Sequence, residues 1–472
     1  MKKRQKHNKR FEPPKAVHIV GMAPQGWAVA GKGRERVHVW GGLLGDGLDI
    51  GHFKHERGRV EAAIEKVNHR EIETVSARCE HFDICGGCLW QHVPYEAQLL
   101  MKQEIVKSCF ANERLDTSCV LPVLGCDAPF EYRNKNDFTF GFGQTPALGF
   151  FESEIKISAG RNRPERGQVP PVFAVQSCAL QSSLADRILS KVRILLSESG
   201  LSYYHPGSRR GILRSLVIRQ SAASGDVLVH FIAAKDCVQE LTAVANALVE
   251  GEEVVKGVVL SVNNKRSKNA VPQEQMILAG QGWIAEHILG LTLQVSPTSF
   301  MQVNTLQAEK LYTIALDFAD LTKPDQVMDL YCGTGSLSLL LAQRAGGVLG
   351  IEVVEAAVDD AKHNATVNGI DNCDFVCGDV AKILPSYVTD GKRPNVVTVN
   401  PPRAGVLPEV IREICSVQPQ KIVYISCNAE TLARDLVHFN RGGYRIRAVQ
   451  PVDMFPQTPH VEVVVKLEQR PQ

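Results

Sequence analysis

The C-terminal part of this 472-residue chain predicts a doubly wound, Rossmann-like α/β sheet, and three observations carry that reading. Short apolar runs of strand type alternate with helix-like stretches from Gln326 onward, a glycine-bearing turn follows the first run, and the chain closes on two apolar runs joined by a short loop. Gln326 to Tyr331 reads as a buried strand, Cys332-Gly333-Thr334-Gly335-Ser336 as a tight turn, and Leu337 to Ala345 as the helix that it opens. The second strand, Gly347 to Ile351, ends at Glu352. Helix-like Glu355 to Asn368 stops at Gly369, strand-like Cys373 to Cys377 leads to Gly378-Asp379, and Asn395 to Val399 leads to Asn400-Pro401-Pro402-Arg403. The apolar run Ile422 to Ile425 brings the chain to Ser426-Cys427-Asn428. Helix-like Thr431 to Asn440 breaks at Gly442-Gly443, and Tyr444 to Val452 with Val461 to Leu467 form a terminal hairpin.

Ligands of an open parallel sheet bind beyond the carboxyl ends of its strands, so residues at those ends are the candidates for chemistry. Glu352 stands 19 positions after Gly333, the spacing at which an acid ends the second strand and accepts hydrogen bonds from two ribose hydroxyls. The same pattern could serve NAD. The third glycine of the dinucleotide fingerprint is replaced by Leu337, which leaves less room for a pyrophosphate and favours a ribose-bearing cofactor without phosphates, S-adenosylmethionine. Asp379 and Asn400 also end strands. Cys427 ends another, which makes it a nucleophile candidate, although a lone cysteine also serves as a small buried hydrophobe.

A second constellation is Cys79-x5-Cys85-Gly86-Gly87-Cys88. Three thiols this close together point to metal, and the residues allow two sites. Cys79, Cys85, Cys88 and His92 would make a local zinc site, while a distant fourth cysteine would complete an iron-sulfur cluster; Cys109, Cys119, Cys126 and Cys178 are the choices. Cys237, Cys373, Cys377 and Cys415 read as core residues.

Composition bounds the rest. A hydrophobic content of 44% is that of an ordinary globular protein, long enough here for two or three domains. Apolar runs stay below the roughly 18 residues of a membrane span, and the first residues, Met-Lys-Lys-Arg-Gln-Lys, carry no apolar signal core, so a cytoplasmic protein without membrane contact is expected. Thirteen cysteines without regular pairing agree with a reducing compartment. A net charge of +2 means that nucleic-acid binding would rest on local patches. Residues 1–75 hold 15 Lys and Arg against 9 Asp and Glu, so that end is basic, with six Lys or Arg between Lys2 and Arg10 alone. Residues 16–75 alternate short β-rich runs (Ala16 to Val20, Trp27 to Ala30, Arg36 to Trp40) with glycines, as in a small barrel. Trp27 and Trp40 serve either its core or base stacking. The middle, from about 90 to 295, has helix-like Tyr95 to Phe110 and strand-like Asp137 to Phe142, Ser215 to Gln220, Val227 to Ala233 and Gly257 to Val262. Arg133, Lys135, Arg209, Arg210, Arg214, Arg219, Lys265, Arg266 and Lys268 form a phosphate-contacting set or a solvated face.

Five ordered segments carry a resemblance: Ser299-Phe300-Met301-Gln302-Val303-Asn304, Asp329-Leu330-Tyr331-Cys332-Gly333-Thr334-Gly335, Asn400-Pro401-Pro402-Arg403-Ala404-Gly405, Ser426-Cys427-Asn428, and Asp453-Met454-Phe455-Pro456 with His460-Val461-Glu462. Together they resemble the RumA/TrmA family of S-adenosylmethionine-dependent RNA uridine-carbon-5 methyltransferases, well over residues 76–472 and loosely before. The resemblance implies a basic tail (1–14), a diverged OB-like TRAM barrel that binds RNA (15–75), a central α+β domain with a 4Fe-4S cluster (76–295) and a methyltransferase domain (296–472). It implies Cys427 as nucleophile and Glu462 as base. Gln302, Tyr331, Ser336, Glu352, Asp379 and Asn400 would line the cofactor site, Phe300 or Tyr331 would stack on the target base, and Cys79, Cys85, Cys88 and Cys178 would hold the cluster. The N-terminal module and the cysteine motif are similar to the branch acting on 23S ribosomal RNA rather than on transfer RNA, working as a monomer. Two positions depart from the family: Asn400 replaces the usual Asp and keeps an acceptor without the charge, and Ser336 stands where Asn is frequent. A rival of another class is a metal-containing RNA-binding protein whose transferase domain has decayed into a scaffold. For Glu462 taken alone, the bland alternative is an outward-facing surface carboxylate.

Overall fold

The computed structural model describes residues 11–471, apart from 57, 143–145, 154–169, 206, 266–273 and 390–392. The basic stretch Lys2 to Arg10, Arg266 and Lys268 lie outside the described residues.

Strands β1 (Ala16–Ala23), β2 (Trp27–Ala30), β3 (Val37–Trp40), β4 (Gly47–Glu56) and β5 (Arg59–His69) close a barrel in the order β1-β2-β3-β5-β4. Alternate residues point inward, as the period of a strand requires: Val17, Ile19, Val37, Val39, Leu48 and Ile50 are buried while their neighbours face outward. Trp27 and Trp40 lie half-buried, edge to face with ring centroids 5.1 Å apart, and the Arg59 guanidinium sits 5.3 Å from the Trp27 ring.

Helix α1 (Tyr95–Asn112) is apolar on two faces because it joins two cores. Met101 and Ile105 pack with the barrel interior, whereas Val106, Cys109 and Phe110 pack with the C-terminal domain. The middle of the chain builds a seven-stranded mixed sheet. Its strands are β6 (Lys135–Phe142), β7 (Pro146–Phe151), β8 (Val172–Ala174), β9 (Leu213–Gln220), β10 (Val227–Ala233), β11 (Val255–Val262) and β12 (Glu274–Gly280), in the order β12-β11-β10-β9-β6-β7-β8. Helices α2 (Ser183–Ser197) and α3 (Val238–Gly251) cover it, burying Ile188, Leu189, Leu241 and Leu248. A hairpin of β13 (Ile284–Ile288) and β14 (Leu291–Val295) leads onward, and α4 (Thr305–Ala319), capped by Asn304, enters the last domain.

That domain is the doubly wound sheet. Strands β15 (Gln326–Leu330), β16 (Gly347–Glu352), β17 (Cys373–Cys377), β18 (Val396–Val399) and β19 (Lys421–Ser426) run parallel. With β20 (Tyr444–Val452) and antiparallel β21 (Glu462–Gln469) they stand in the order β17-β16-β15-β18-β19-β21-β20. Helices α5 (Ser336–Ala342), α6 (Glu355–Val367), α7 (Val380–Thr389), α8 (Pro408–Val417) and α9 (Ala429–Arg441) alternate with the strands. Strands buried on both faces read as continuous apolar runs: Val396 to Val399 and Ile422 to Ser426 are buried at every position. Helix α5 ends at Ala342, three residues short of the expected Ala345. Cys377 is exposed, contrary to the core reading, because it ends the edge strand β17; Cys237 and Cys373 are buried and Cys415 is half-buried.

Candidate active site

The carboxyl ends of five parallel strands bring the expected cofactor and catalytic positions to one edge of the sheet. Tyr331 follows β15, Glu352 ends β16, Asp379 follows β17, Asn400 follows β18 and Cys427 follows β19. The turn after β15 needs its glycines. Gly333 and Gly335 have φ of 57° and 80°, and a Cβ on Gly335 would stand 2.8 Å from the Phe375 ring. Tyr331 also adopts a positive φ of 63°, an uncommon conformation for an aromatic residue. Glu352 accepts hydrogen bonds from the backbone N–H of Gly333 at 3.1 Å, Val353 at 2.9 Å and Val354 at 3.0 Å, so one carboxylate ties the glycine turn to the start of α6. Asp379 is exposed, and its charge helps push the Tyr331 hydroxyl up to about 12, after burial. Gln302 is buried, and its carbonyl accepts from Asn134 at 3.0 Å. Ser336 is buried at the start of α5, and its side chain bonds to Tyr312. Beneath the turn, fully buried Asp329 accepts from Ser338 and Thr398 at 2.6 Å each; burial lifts its carboxyl to about 6.

Cys427 and Glu462 meet through the sheet register. Ser426 of β19 pairs with Val463 of β21, so the next positions outward, Cys427 and Glu462, face each other. Glu462 is only 4% exposed, which overturns the surface-carboxylate alternative. Burial pushes its carboxyl up to about 7, against the opposing pull of Arg403. The Cys427 thiol is half-buried and raised above its ordinary value, first by burial and then by the charge of Glu462, while Arg403 bonds to it and opposes the rise. Arg403 was visible in the sequence only as the fourth residue of its motif. It is the cation that couples to both catalytic candidates. His460, open in part to the cleft, is lowered to about 4 by burial and by the charges of Arg403, Lys102 and Arg133, so its imidazole is neutral at physiological pH.

The loop that delivers Glu462 is anchored from far away in sequence. Asp453 is fully buried in an ion pair with Lys102 of α1, and also accepts from Tyr95 at 2.9 Å and from the Phe455 N–H at 3.1 Å. Asp453 thus anchors the loop that leads to Glu462. Asn304 donates to the Met454 carbonyl at 3.4 Å, tying the segment around Phe300 to the same loop. Phe300 itself is 69% exposed beside Thr334 of the glycine turn, whose hydroxyl donates to the Phe300 carbonyl at 3.4 Å.

Among the described residues, no group of three or more His, Cys, Asp or Glu side chains is gathered closely enough to hold a metal ion as it stands. The four cysteines expected as cluster ligands are nevertheless electrostatic neighbours. Burial pushes Cys88 up to about 12, with Cys178, Cys85 and Cys79 adding to the rise, and burial pushes Cys178 to about 11, with Cys79 and Cys85 adding. Cys109 and Cys126 are buried elsewhere, Cys109 with the C-terminal core and Cys126 beside Asn304. Of the expected phosphate contacts, Arg214 and Arg219 are internal braces. Arg214 donates to the Lys265 carbonyl at 2.8 Å, and Arg219 to the Ser299 carbonyl at 2.8 Å, both nearly fully buried. Arg209, Arg210 and Lys265 are exposed, and Arg133 and Lys135 half-buried.

A Rossmann-like sheet with an antiparallel closing strand, a glycine turn held by an acid and a polar row along its carboxyl edge is that of an S-adenosylmethionine-dependent methyltransferase. A profile of the methyltransferase domain matches residues 321–442. An uncharacterized RNA methyltransferase of Caldanaerobacter subterraneus subsp. tengcongensis is 34% identical over 96% of this chain and 97% of its own length. Another, of Oceanobacillus iheyensis, is 38% identical over 81% of each chain. The crystal structure of Pyrococcus abyssi tRNA (uracil-54, C5)-methyltransferase in complex with S-adenosyl-L-homocysteine superposes with a TM-score of 0.72 at 24% identity, covering 96% of this chain and all of its own, and shares the fold. The chain belongs to the RumA/TrmA family of RNA methyltransferases. It is an S-adenosylmethionine-dependent enzyme acting on RNA, not a decayed scaffold. No helix among the described residues is long and apolar enough to cross a membrane.

Proposed function

We propose that the protein methylates carbon 5 of a uridine in RNA through a covalent adduct on Cys427, with Glu462 as the base. The observation that carries this reading is the facing pair Cys427 and Glu462, coupled to Arg403. Carbon 5 of uridine is a poor nucleophile, and addition of the Cys427 thiolate to carbon 6 moves an electron pair onto the ring so that carbon 5 can attack. S-adenosylmethionine supplies the electrophilic methyl. The thiol is held protonated in the resting site, so thiolate forms as the substrate docks, with Arg403 stabilising it. Glu462 then removes the carbon 5 proton, the electron pair restores the ring double bond, and the thiolate leaves. Phe300, exposed next to the glycine turn, stacks on the flipped uracil, while Tyr331, Glu352, Asp379, Asn400 and Gln302 surround the cofactor.

The substrate we favour is 23S ribosomal RNA. The N-terminal barrel acts as an OB-like TRAM module that binds RNA, with Trp27, Trp40 and Arg59 on its outer side. Transfer RNA is the second reading, supported by the full-length likeness to an enzyme that acts on uracil-54 of tRNA. Cys79, Cys85, Cys88 and Cys178 would hold a 4Fe-4S cluster; four sulfur donors within mutual electrostatic range fit its ligand chemistry better than the alternative with His92. The test is direct. Cys427→Ala should abolish both methylation and the adduct with 5-fluorouridine RNA, which wild type should form because fluorine cannot leave as a proton does. Retained turnover by Cys427→Ala would refute the mechanism, and parallel assays on 23S and transfer RNA from cells lacking the enzyme decide the substrate.

A further inference from the structure

The tip of the barrel hairpin β1–β2 reaches the catalytic domain. Pro24 and Gln25 line an open cleft of about 100 Å³ together with Cys427, Arg403, Pro459 and His460. The contact is close: a Cβ on Gly26 would stand 3.2 Å from Pro459 and 3.6 Å from the Trp90 indole nitrogen. At this tip Gln25 adopts φ 67° and ψ 11°, a left-handed conformation that is unfavourable for an ordinary residue and that glycine adopts freely. The Gln25 side chain is exposed at the cleft. The tight turn closed by the Ala23–Trp27 pair holds Gln25 in this conformation at the cleft, where its amide offers a donor and an acceptor together. Cys427 lines the cleft, so a uracil bonded to its sulfur stands at the cleft wall and a neighbouring base falls on the Pro24–Gln25 side. Its volume is roughly that of three liquid waters, room for one planar group between the apolar faces of Pro24, Ile105 and Pro459.

We infer that Gln25 is a specificity-determining residue that hydrogen-bonds the base adjoining the target uridine, so the barrel reads RNA inside the catalytic cleft itself. This rests on Cys427 receiving the target uridine, as argued above. The decisive variant is Gln25→Gly, which relieves the backbone strain while removing the amide. Full-length protein is assayed with tritiated-methyl S-adenosylmethionine and total RNA from cells lacking the enzyme. Gln25→Gly should keep or raise the wild-type Tm and keep the cofactor Kd, while the RNA KM rises about tenfold, the equivalent of about 1.4 kcal/mol, with kcat nearly constant. Gln25→Asn, which tolerates the same backbone and retains an amide, should recover part of the loss. A merely structural role predicts wild-type RNA kinetics for Gln25→Gly, and that result overturns the inference. Adduct formation with 5-fluorouridine RNA is scored in parallel. Wild type without adduct, but with the KM effect of Gln25→Gly intact, would sink the covalent reading and leave this one standing; normal adduct with unchanged KM does the reverse.

Discussion

The ionisation of Glu462 should set the pH at which the methylated adduct breaks down. Its carboxyl rises from the ordinary 4.5 to about 7 because it is fully buried, and only Arg403 opposes the shift. A raised pKa means that the folded protein holds the proton at low pH and releases it as pH rises through about 7, so the basic form is the high-pH form. The ionised fraction is then about a tenth at pH 6 and about nine tenths at pH 8, a roughly tenfold span in rate. The assay forms the adduct at pH 6 on RNA labelled with tritium at carbon 5, jumps the pH to values from 5.5 to 8.5, and follows tritium release and loss of protein-bound RNA on denaturing gels. Cys427 is already bonded to carbon 6 during this step, so its own ionisation does not enter. A slope of one below pH 7 and a plateau above it are expected. Glu462→Gln should leave the methylated RNA bonded to Cys427 at every pH. A rate independent of pH from 5.5 to 8.5 would refute the reasoning, since a carboxylate with an ordinary pKa is fully ionised across that range.

Three further outcomes test other parts of the site. Glu352→Ala should weaken S-adenosylmethionine binding by about 1–3 kcal/mol, the order of a charge-assisted hydrogen bond, with RNA affinity nearly intact by calorimetry; unchanged cofactor affinity would limit Glu352 to tying the glycine turn to α6. Protein purified without oxygen should be brown with about four irons per chain and lose them in Cys178→Ser, whereas colourless protein with one zinc, lost in His92→Ala, would replace the cluster by the zinc site. Lys102→Ala strands Asp453 as a lone buried charge and should cost about 3–5 kcal/mol in urea unfolding, and Lys102→Met combined with Asp453→Asn should recover much of it; a neutral Lys102→Ala would mean that water reaches Asp453.

The doubly wound domain was legible because its strands are buried on both faces and its breaks are chemical. Cys373–Cys377 and Tyr444–Val452 fall where the apolar runs place them, and Gly333 and Gly335 stand where the turn needs positive φ. Helix α1 was legible as a helix but not as a bridge, since its two apolar faces serve different cores and leave no single stripe to follow. Burial misled where pairing is non-local. Arg214 and Arg219 look like surface cations in sequence, yet each donates to a backbone carbonyl dozens of residues away. Ser336 opens a helix beside the glycine turn, and its bond to Tyr312 appears only once α4 packs there. The environment of Glu462 is of the same kind, since its burial depends on β21 lying antiparallel against β19.

That dependence ties the position of Glu462 to the strand order of the sheet. A strand added antiparallel to the parallel set starts at the carboxyl edge where the others finish, so its first residue, Glu462, comes to that edge facing Cys427. The loop before it, Asp453 to Val461, must be held still for Glu462 to stand opposite Cys427, and besides Asn304 its anchors come from outside the catalytic domain. Lys102 and Tyr95 hold Asp453, and Gln98 accepts from the Gln457 N–H at 2.9 Å. Leu89 and Trp90 each donate to the Gln457 carbonyl at 3.1 Å, so the segment that follows the cysteine motif grips the same loop. Barrel, cysteine motif and α1 therefore converge on the nine residues that lead to Glu462. On the proposed mechanism, disturbance of any of them should reach the elimination step before it reaches cofactor binding, because the strand-end positions Tyr331, Glu352, Asp379 and Asn400 are held by the sheet itself.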